Sequence, residues 1–148
     1  MEKVLIKIQK AAPSVIIPQY ESEGAAGLDL RAFIDSDITI APFKREKIPT
    51  GLFLEIPEGY EAQVRPRSGL AIKSGITVLN SPGTIDSDYR GQLEVILINL
   101  GEQVVTIKNG DRIAQLVISP VVRAQILEVQ ALSLSKRGSG GFGSTGDK

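Results

Sequence analysis

The chain has 148 residues with 17 basic and 17 acidic side chains, so its formal charge is zero; it can fold one domain burying about 70% of its unfolded surface but offers duplex nucleic acid no basic field. Aromatics at 5% argue against a stacking platform for single strands, and the absence of cysteine and histidine excludes a thiolate nucleophile, a disulfide framework, a thiolate or imidazole zinc site and an imidazole base. An enzyme made of these residues is expected to use a carboxylate base and, for any metal, a hard oxygen-bound ion such as Mg²⁺.

In chain order, Met1 to Ile6 lacks the long apolar region of a signal peptide, and an intracellular protein is expected, cytoplasmic or, in a eukaryote, nuclear. Val4–Ile8 reads as the first strand, followed by a loop broken by Pro13 and Pro18. Leu28–Ala32 and Asp37–Ile40 alternate apolar and polar residues. Lys44–Ile48, Leu52–Ile56 and Tyr60–Val64 follow, divided at Pro49-Thr50-Gly51 and Pro57-Glu58-Gly59. Ser68–Ser74 is the one helical candidate, with Ser68 as its N-cap and Gly75 just past its end. Leu93–Asn99 is the most apolar run. Its centre, Val95–Ile98, is too short to span a bilayer but reads as a strand buried on both faces. Val104–Ile107, Arg112–Ile118 and Gln125–Val129 complete a set of short strands expected to form an all-β sandwich or jelly roll. Residues 1–136 are read as one domain and 137–148 as a flexible, glycine-rich tail without a core.

Five stretches could carry chemistry. Ala25–Ala32 puts Asp29 where a strand begins, although a solvent-facing strand acid has the same pattern. Arg65–Ala71 brings a cation, a hydroxyl and Gly69 to the helix start, where free N–H groups favour an anion; an ordinary cap with a surface arginine is the plain alternative. Asn80–Gly91 begins as a tight turn at Ser81-Pro82-Gly83. It then crowds two carboxylates, a phenol and a guanidinium into Asp86–Arg90, beside the most apolar strand, where a rigid site would be anchored. Gly110–Leu116 reads as a turn into a buried strand, with Asp111 and Gln115 structural by default. The tail contains a literal G-x-G-x-x-G at Gly138, Gly140 and Gly143, but lacks the preceding strand, following helix and downstream acid of a dinucleotide site. Its Arg137, Ser144, Thr145 and glycine N–H groups instead suit phosphate, with Phe142 as a lid over a ring.

In this order and spacing the five stretches resemble the five motifs of the trimeric dUTPase family, covering residues 25 to 146. The resemblance implies a jelly-roll protein that hydrolyses dUTP to dUMP and pyrophosphate. Asp86 would be the general base for water attacking the α-phosphorus. Arg67, Ser68, Gly69 and Gln115 would hold the phosphates. Asn80 with the hairpin residues Gly83, Thr84 and Ile85 would read the uracil edge, and Tyr89 would pack on the deoxyribose. Arg137, Gly143, Ser144 and Thr145 would clamp the γ-phosphate while Phe142 stacks on the base. Mg²⁺ would be held mainly by the triphosphate, with Asp29 reaching it through water. The resemblance also implies a homotrimer whose tails serve neighbouring sites, the Val95–Ile98 run lining an interface. No stable nucleic-acid or membrane partner is expected. A dCTP deaminase, or a bifunctional deaminase and dUTPase of the same fold, is the alternative; the Asp86 and Tyr89 pair and the Phe142 tail favour the hydrolase.

Overall fold

Alternation of side chains along Gln92–Asn99 fixes the centre of the fold. A computed structural model describes residues 3–146. In it Leu93, Val95, Leu97 and Asn99 of this strand are buried, while Gln92, Glu94, Ile96 and Ile98 are only half-buried on the other face. Within one chain the strand is therefore covered on one side, not on both as its apolar run suggested. On the open side Lys47 and Glu94 pair across two strands at 2.9 Å.

Among the described residues ten strands and one helix are formed, in the order β1 (Lys7–Lys10), β2 (Leu28–Arg31), β3 (Ile38–Ile40), β4 (Arg45–Glu55), β5 (Tyr60–Arg65), α1 (Ser68–Ser74), β6 (Ile76–Val78), β7 (Gly83–Ile85), β8 (Gln92–Asn99), β9 (Val105–Ile107) and β10 (Arg112–Pro120). All pairings are antiparallel. One sheet has the order β1-β4-β8-β6, a second β2-β10-β5-β7, and a small third joins β3 to β9. Inward residues of all three, among them Leu30, Ile40, Ile48, Val95 and Leu116, make one apolar core. The all-β expectation holds.

The first strand is Lys7–Lys10 and not Val4–Ile8, because only these residues find partners on β4, from Glu55 to Leu52; four further differences from the sequence reading stand out. Pro49-Thr50-Gly51 does not end a strand: β4 runs through it, with a register shift against β8 between Pro49 and Leu52. Gly51 adopts a left-handed conformation (φ 71°), its N–H bonds the Gln92 side chain at 2.9 Å, and the buried Thr50 hydroxyl donates to the Leu93 carbonyl at 2.6 Å. The bulge is thus satisfied from β8, and the strand continues. Secondly, β6 and β7 are three-residue strands inside what read as loop. Thirdly, α1 has the expected span and ends on left-handed Gly75 (φ 67°), but its N-cap position is Arg67, with no side-chain cap bond. Ser68 is already helical, so its hydroxyl is not a cap.

Lastly, Gln125–Val129 forms no strand. After Val121 donates to the Gly59 carbonyl at 2.9 Å, residues 122–134 pair with no strand of their own chain. Ile126, Leu127 and Leu132 on this arm are 86%, 81% and 86% exposed. An apolar segment of strand-like composition is thus left without a partner. No helix among the described residues is long and apolar enough to cross a membrane.

Asn99 closes β8 with the only fully buried amide among the described residues. Its Nδ2 donates to the carbonyls of Ile40 (2.8 Å) and Gln103 (2.7 Å), and its Oδ1 accepts from the Gly101 N–H (2.9 Å). Two of these bonds hold the loop that follows and the third ties Asn99 to β3, since a buried polar group left unmet would be costly.

Candidate active site

The second sheet carries most of the chemistry. Register places Asp29 of β2 opposite Gln115 of β10, and Gln115 opposite Arg65 at the end of β5. The chain then turns through Pro66 and Arg67 into α1. Asp29 is largely buried and each of its carboxylate oxygens takes a guanidinium: Oδ1 accepts from Arg67 Nε at 3.1 Å and Oδ2 from Arg112 Nη1 at 3.2 Å. Gln115 Nε2 donates to the Pro66 carbonyl at 2.9 Å. Three stretches far apart in sequence therefore meet as one cluster of Asp29, Arg67, Arg112 and Gln115, with Ser68 next to Arg67 in the chain and the cations exceeding the acid by one. Such a cluster favours an anion. Arg112 lies inside the Gly110–Leu116 stretch but was given no role from sequence, because its pairing with Asp29 spans 83 positions.

The hairpin Asn80–Gly91 makes a second group. The Ser81–Pro82 bond is cis and the Ser81 hydroxyl donates to the Val78 carbonyl. Strand β7 then pairs with β5, Gly83 opposite Val64 and Ile85 opposite Ala62, which holds the hairpin against the sheet. A side chain at Gly83 would sit 3.1 Å from the Asn80 amide nitrogen, so that amide lies across the glycine. Beyond β7 the Tyr89 N–H bonds the Asp86 carbonyl at 3.2 Å, and Arg90 braces the turn by donating to the carbonyls of Ser87 (2.7 Å) and Tyr89 (3.1 Å). Tyr89 Oη donates to the Gln92 carbonyl at 3.0 Å.

Asp86 is exposed, and among the described residues nothing donates to its carboxylate. It lines a cavity of about 220 Å³ together with Thr84, Ile85, Tyr89 and the Lys47–Glu94 pair. The hydrogen bond and charge of Glu94 raise the Lys47 ammonium above its usual range. On its other side Asp86 borders an open groove of about 680 Å³ with Glu58, Glu61, Asp88, Arg90 and Arg123. Neither space is lined by Asp29, Arg67, Ser68 or Gln115. One chain thus presents two separate groups, the Asp86 hairpin and the Asp29–Arg67 cluster, and does not join them in either cavity.

The tail reaches neither group. Arg137 Nε donates to the Gly140 carbonyl at 2.6 Å, and the Ser144 and Gly146 N–H groups bond carbonyls three residues back. Phe142 has a left-handed backbone (φ 51°) and a fully exposed ring. Arg137, Phe142, Gly143, Ser144 and Thr145 are therefore not assembled with the other site residues within the chain. The tail's last two residues lie outside the described region.

For a metal, the donors are informative. Among the described residues no group of three or more acidic side chains could cage an ion. Asp29, with both oxygens on guanidinium groups, does not fit direct coordination. A carboxylate oxygen has a further lone pair, however, so a water-mediated contact to an ion carried by other oxygens fits.

Comparison with known proteins adds the family. The family model described as dUTPase matches residues 14–146. The deoxyuridine 5'-triphosphate nucleotidohydrolase of Anaeromyxobacter sp. (strain Fw109-5) is 57% identical over 146 residues, covering 97% of this chain and 98% of its own. Among solved structures, the dUTPase of Staphylococcus bacteriophage 80alpha with dUPNHPP superposes with a TM-score of 0.86 at 26% identity, over 96% of this chain and 98% of that one. A mutant dUTPase from phage phi11 of S. aureus, described for its coordination of a structural Mg(II) ion, gives a TM-score of 0.77 at 22% identity, over 86% and 97%.

Proposed function

The chain belongs to the dUTPase family, and from that premise we propose that it hydrolyses dUTP to dUMP and pyrophosphate, with Asp86 as the base. The observation that carries the mechanism is the hairpin, where an uncommitted carboxylate stands three residues from a phenol and six from an amide held across Gly83. Asp86 takes a proton from water as its oxygen bonds to the α-phosphorus, and the bond to the bridging oxygen breaks to release pyrophosphate. Asn80 and the backbone of Gly83, Thr84 and Ile85 read the uracil edge; Tyr89 walls the deoxyribose where a 2′-hydroxyl would stand. Arg67, Ser68, Gly69 and Gln115 hold the phosphates, with Asp29 fixing the plane of Arg67. Mg²⁺ held mainly by the triphosphate would supply charge neutralisation, and Asp29 would reach it through water.

The two groups belong together across subunits. Separation of Asp86 from the Arg67 cluster within one chain, and the unpaired apolar arm at residues 122–134, both support an oligomer in which each supplies what the other lacks. The family resemblance supports a trimer, with residues 1–136 as the domain and the 137–148 tail closing on a neighbour. The partly open Ile96 and Ile98 face of β8 suits a subunit contact.

A panel of dUTP, dTTP, dCTP and UTP with Mg²⁺ tests the reaction: pyrophosphate should be released from dUTP in clear preference. Ammonia from dCTP would instead indicate the deaminase chemistry. Ser68 offers a finer test. Ser68→Ala should slow hydrolysis and weaken a non-hydrolysable dUTP analogue more than dUMP, because the hydroxyl serves phosphates that dUMP lacks. Its melting temperature should barely change, since the hydroxyl caps nothing and alanine suits a helix. Equal weakening of dUMP and the analogue would remove Ser68 from the phosphate site.

A further inference from the structure

We infer that Gly91 is a positioning residue for sugar selectivity, its missing side chain being the space into which the Tyr89 ring folds. The inference rests on the proposed role of Tyr89 at the deoxyribose. A Cβ on Gly91 would lie 2.3 Å from the Tyr89 hydroxyl oxygen, 2.5 Å from Cζ and 2.9 Å from Cε2. These separations are inside van der Waals contact, so a methyl group and the ring cannot both occupy their places. The backbone gives no other reason for glycine here, because Gly91 is outside the left-handed region that Gly51, Gly59, Gly75 and Gly110 adopt. The ring crosses above Gly91 and is tied on the far side, where its hydroxyl donates to the Gln92 carbonyl at 3.0 Å. Glycine at 91 and the carbonyl at 92 together set the ring's plane.

What yields on substitution also follows. Tyr89 is 44% exposed, so a ring displaced by a methyl group can swing into open space without disturbing the core. The fold survives and the wall moves. A sugar bearing a 2′-hydroxyl is then opposed by an empty space instead of a ring.

The test measures kcat/KM for dUTP and for UTP in wild type, Gly91→Ala, Tyr89→Ala, Tyr89→Phe and the two double variants. Gly91→Ala should lower the preference for dUTP by about tenfold, with an unfolding midpoint near wild type. Tyr89→Phe keeps the ring atoms that the methyl meets, so Gly91→Ala should still act in that background. In Tyr89→Ala there is no ring to displace, and adding Gly91→Ala should change the preference no further. Unchanged preference in Gly91→Ala, alongside lost preference in Tyr89→Ala, would overturn the inference while leaving the sugar wall intact. So would an equal effect of Gly91→Ala with and without the ring. If Tyr89→Ala itself keeps the wild-type preference, the sugar role is what fails, and the assignment of Gly91 falls with it.

Discussion

Asp86→Asn is expected to lower turnover of dUTP by about 10²–10⁴ while leaving the affinity for a non-hydrolysable analogue within a few-fold. The amide matches the carboxylate in size but cannot accept the water's proton at neutral pH. Folding should be indifferent, because Asp86 is exposed and its carboxylate receives no hydrogen bond among the described residues. Only the peptide carbonyl of Asp86 serves the turn, accepting from the Tyr89 N–H, and that group is untouched by the substitution. Single-turnover pyrophosphate release beside a binding titration separates the two effects. Turnover near wild type would move the base elsewhere, and Asp88, which borders the same groove, would be the next to change.

Removing residues 137–148 should have a comparably large effect on the reaction and almost none on the fold. The described part of this segment makes only short-range turns, its one aromatic ring is fully exposed, and none of its side chains joins the core. Thermal unfolding should therefore match the full-length protein. Hydrolysis should fall by about 10² or more, the size of effect seen when charge-stabilising donors leave a transition state. Ordering the tail costs roughly 1–2 kcal/mol per fixed residue, so it should close on a triphosphate and not on dUMP. Truncation should accordingly weaken the triphosphate analogue and spare dUMP. Equal loss of both would mean that the tail binds the nucleoside alone.

Particular residues show how much of this was legible in the sequence. The strand at Leu93–Asn99, the helix stop at Gly75 and the polar hairpin after Asn80 are local patterns, and each appears where the pattern put it, although β8 is buried on one face and not on the two its apolar run suggested. Strands β6 and β7 were not legible: three residues carry no period, and both exist because β8 and β5 offer partners. The same dependence runs the other way at Gln125–Val129, whose composition is strand-like but which finds no partner in its own chain. Pro49-Thr50-Gly51 looked like a strand end because the groups satisfying its backbone come from Leu93 and Gln92, over 40 positions away. At the site, the sequence offered candidate stretches but not their grouping. That Asp29 is claimed by two arginines, or that Gly91 is occupied by a neighbour's ring, depends on contacts no spacing rule encodes.

The most direct test of a dUTP site completed by a neighbouring chain is a mixing assay with two inactive parents. Subunits lacking 137–148 retain Asp86 but have no tail; full-length Asp86→Asn subunits have the tail but no base. After exchange, verified by mass, the mixed oligomers should release pyrophosphate from dUTP at rates that neither parent reaches, because an intact Asp86 hairpin then meets an intact tail from its neighbour. Exchanged subunits that remain as inactive as their parents would contradict the account, since a tail folding back on its own chain leaves every site in the mixture defective.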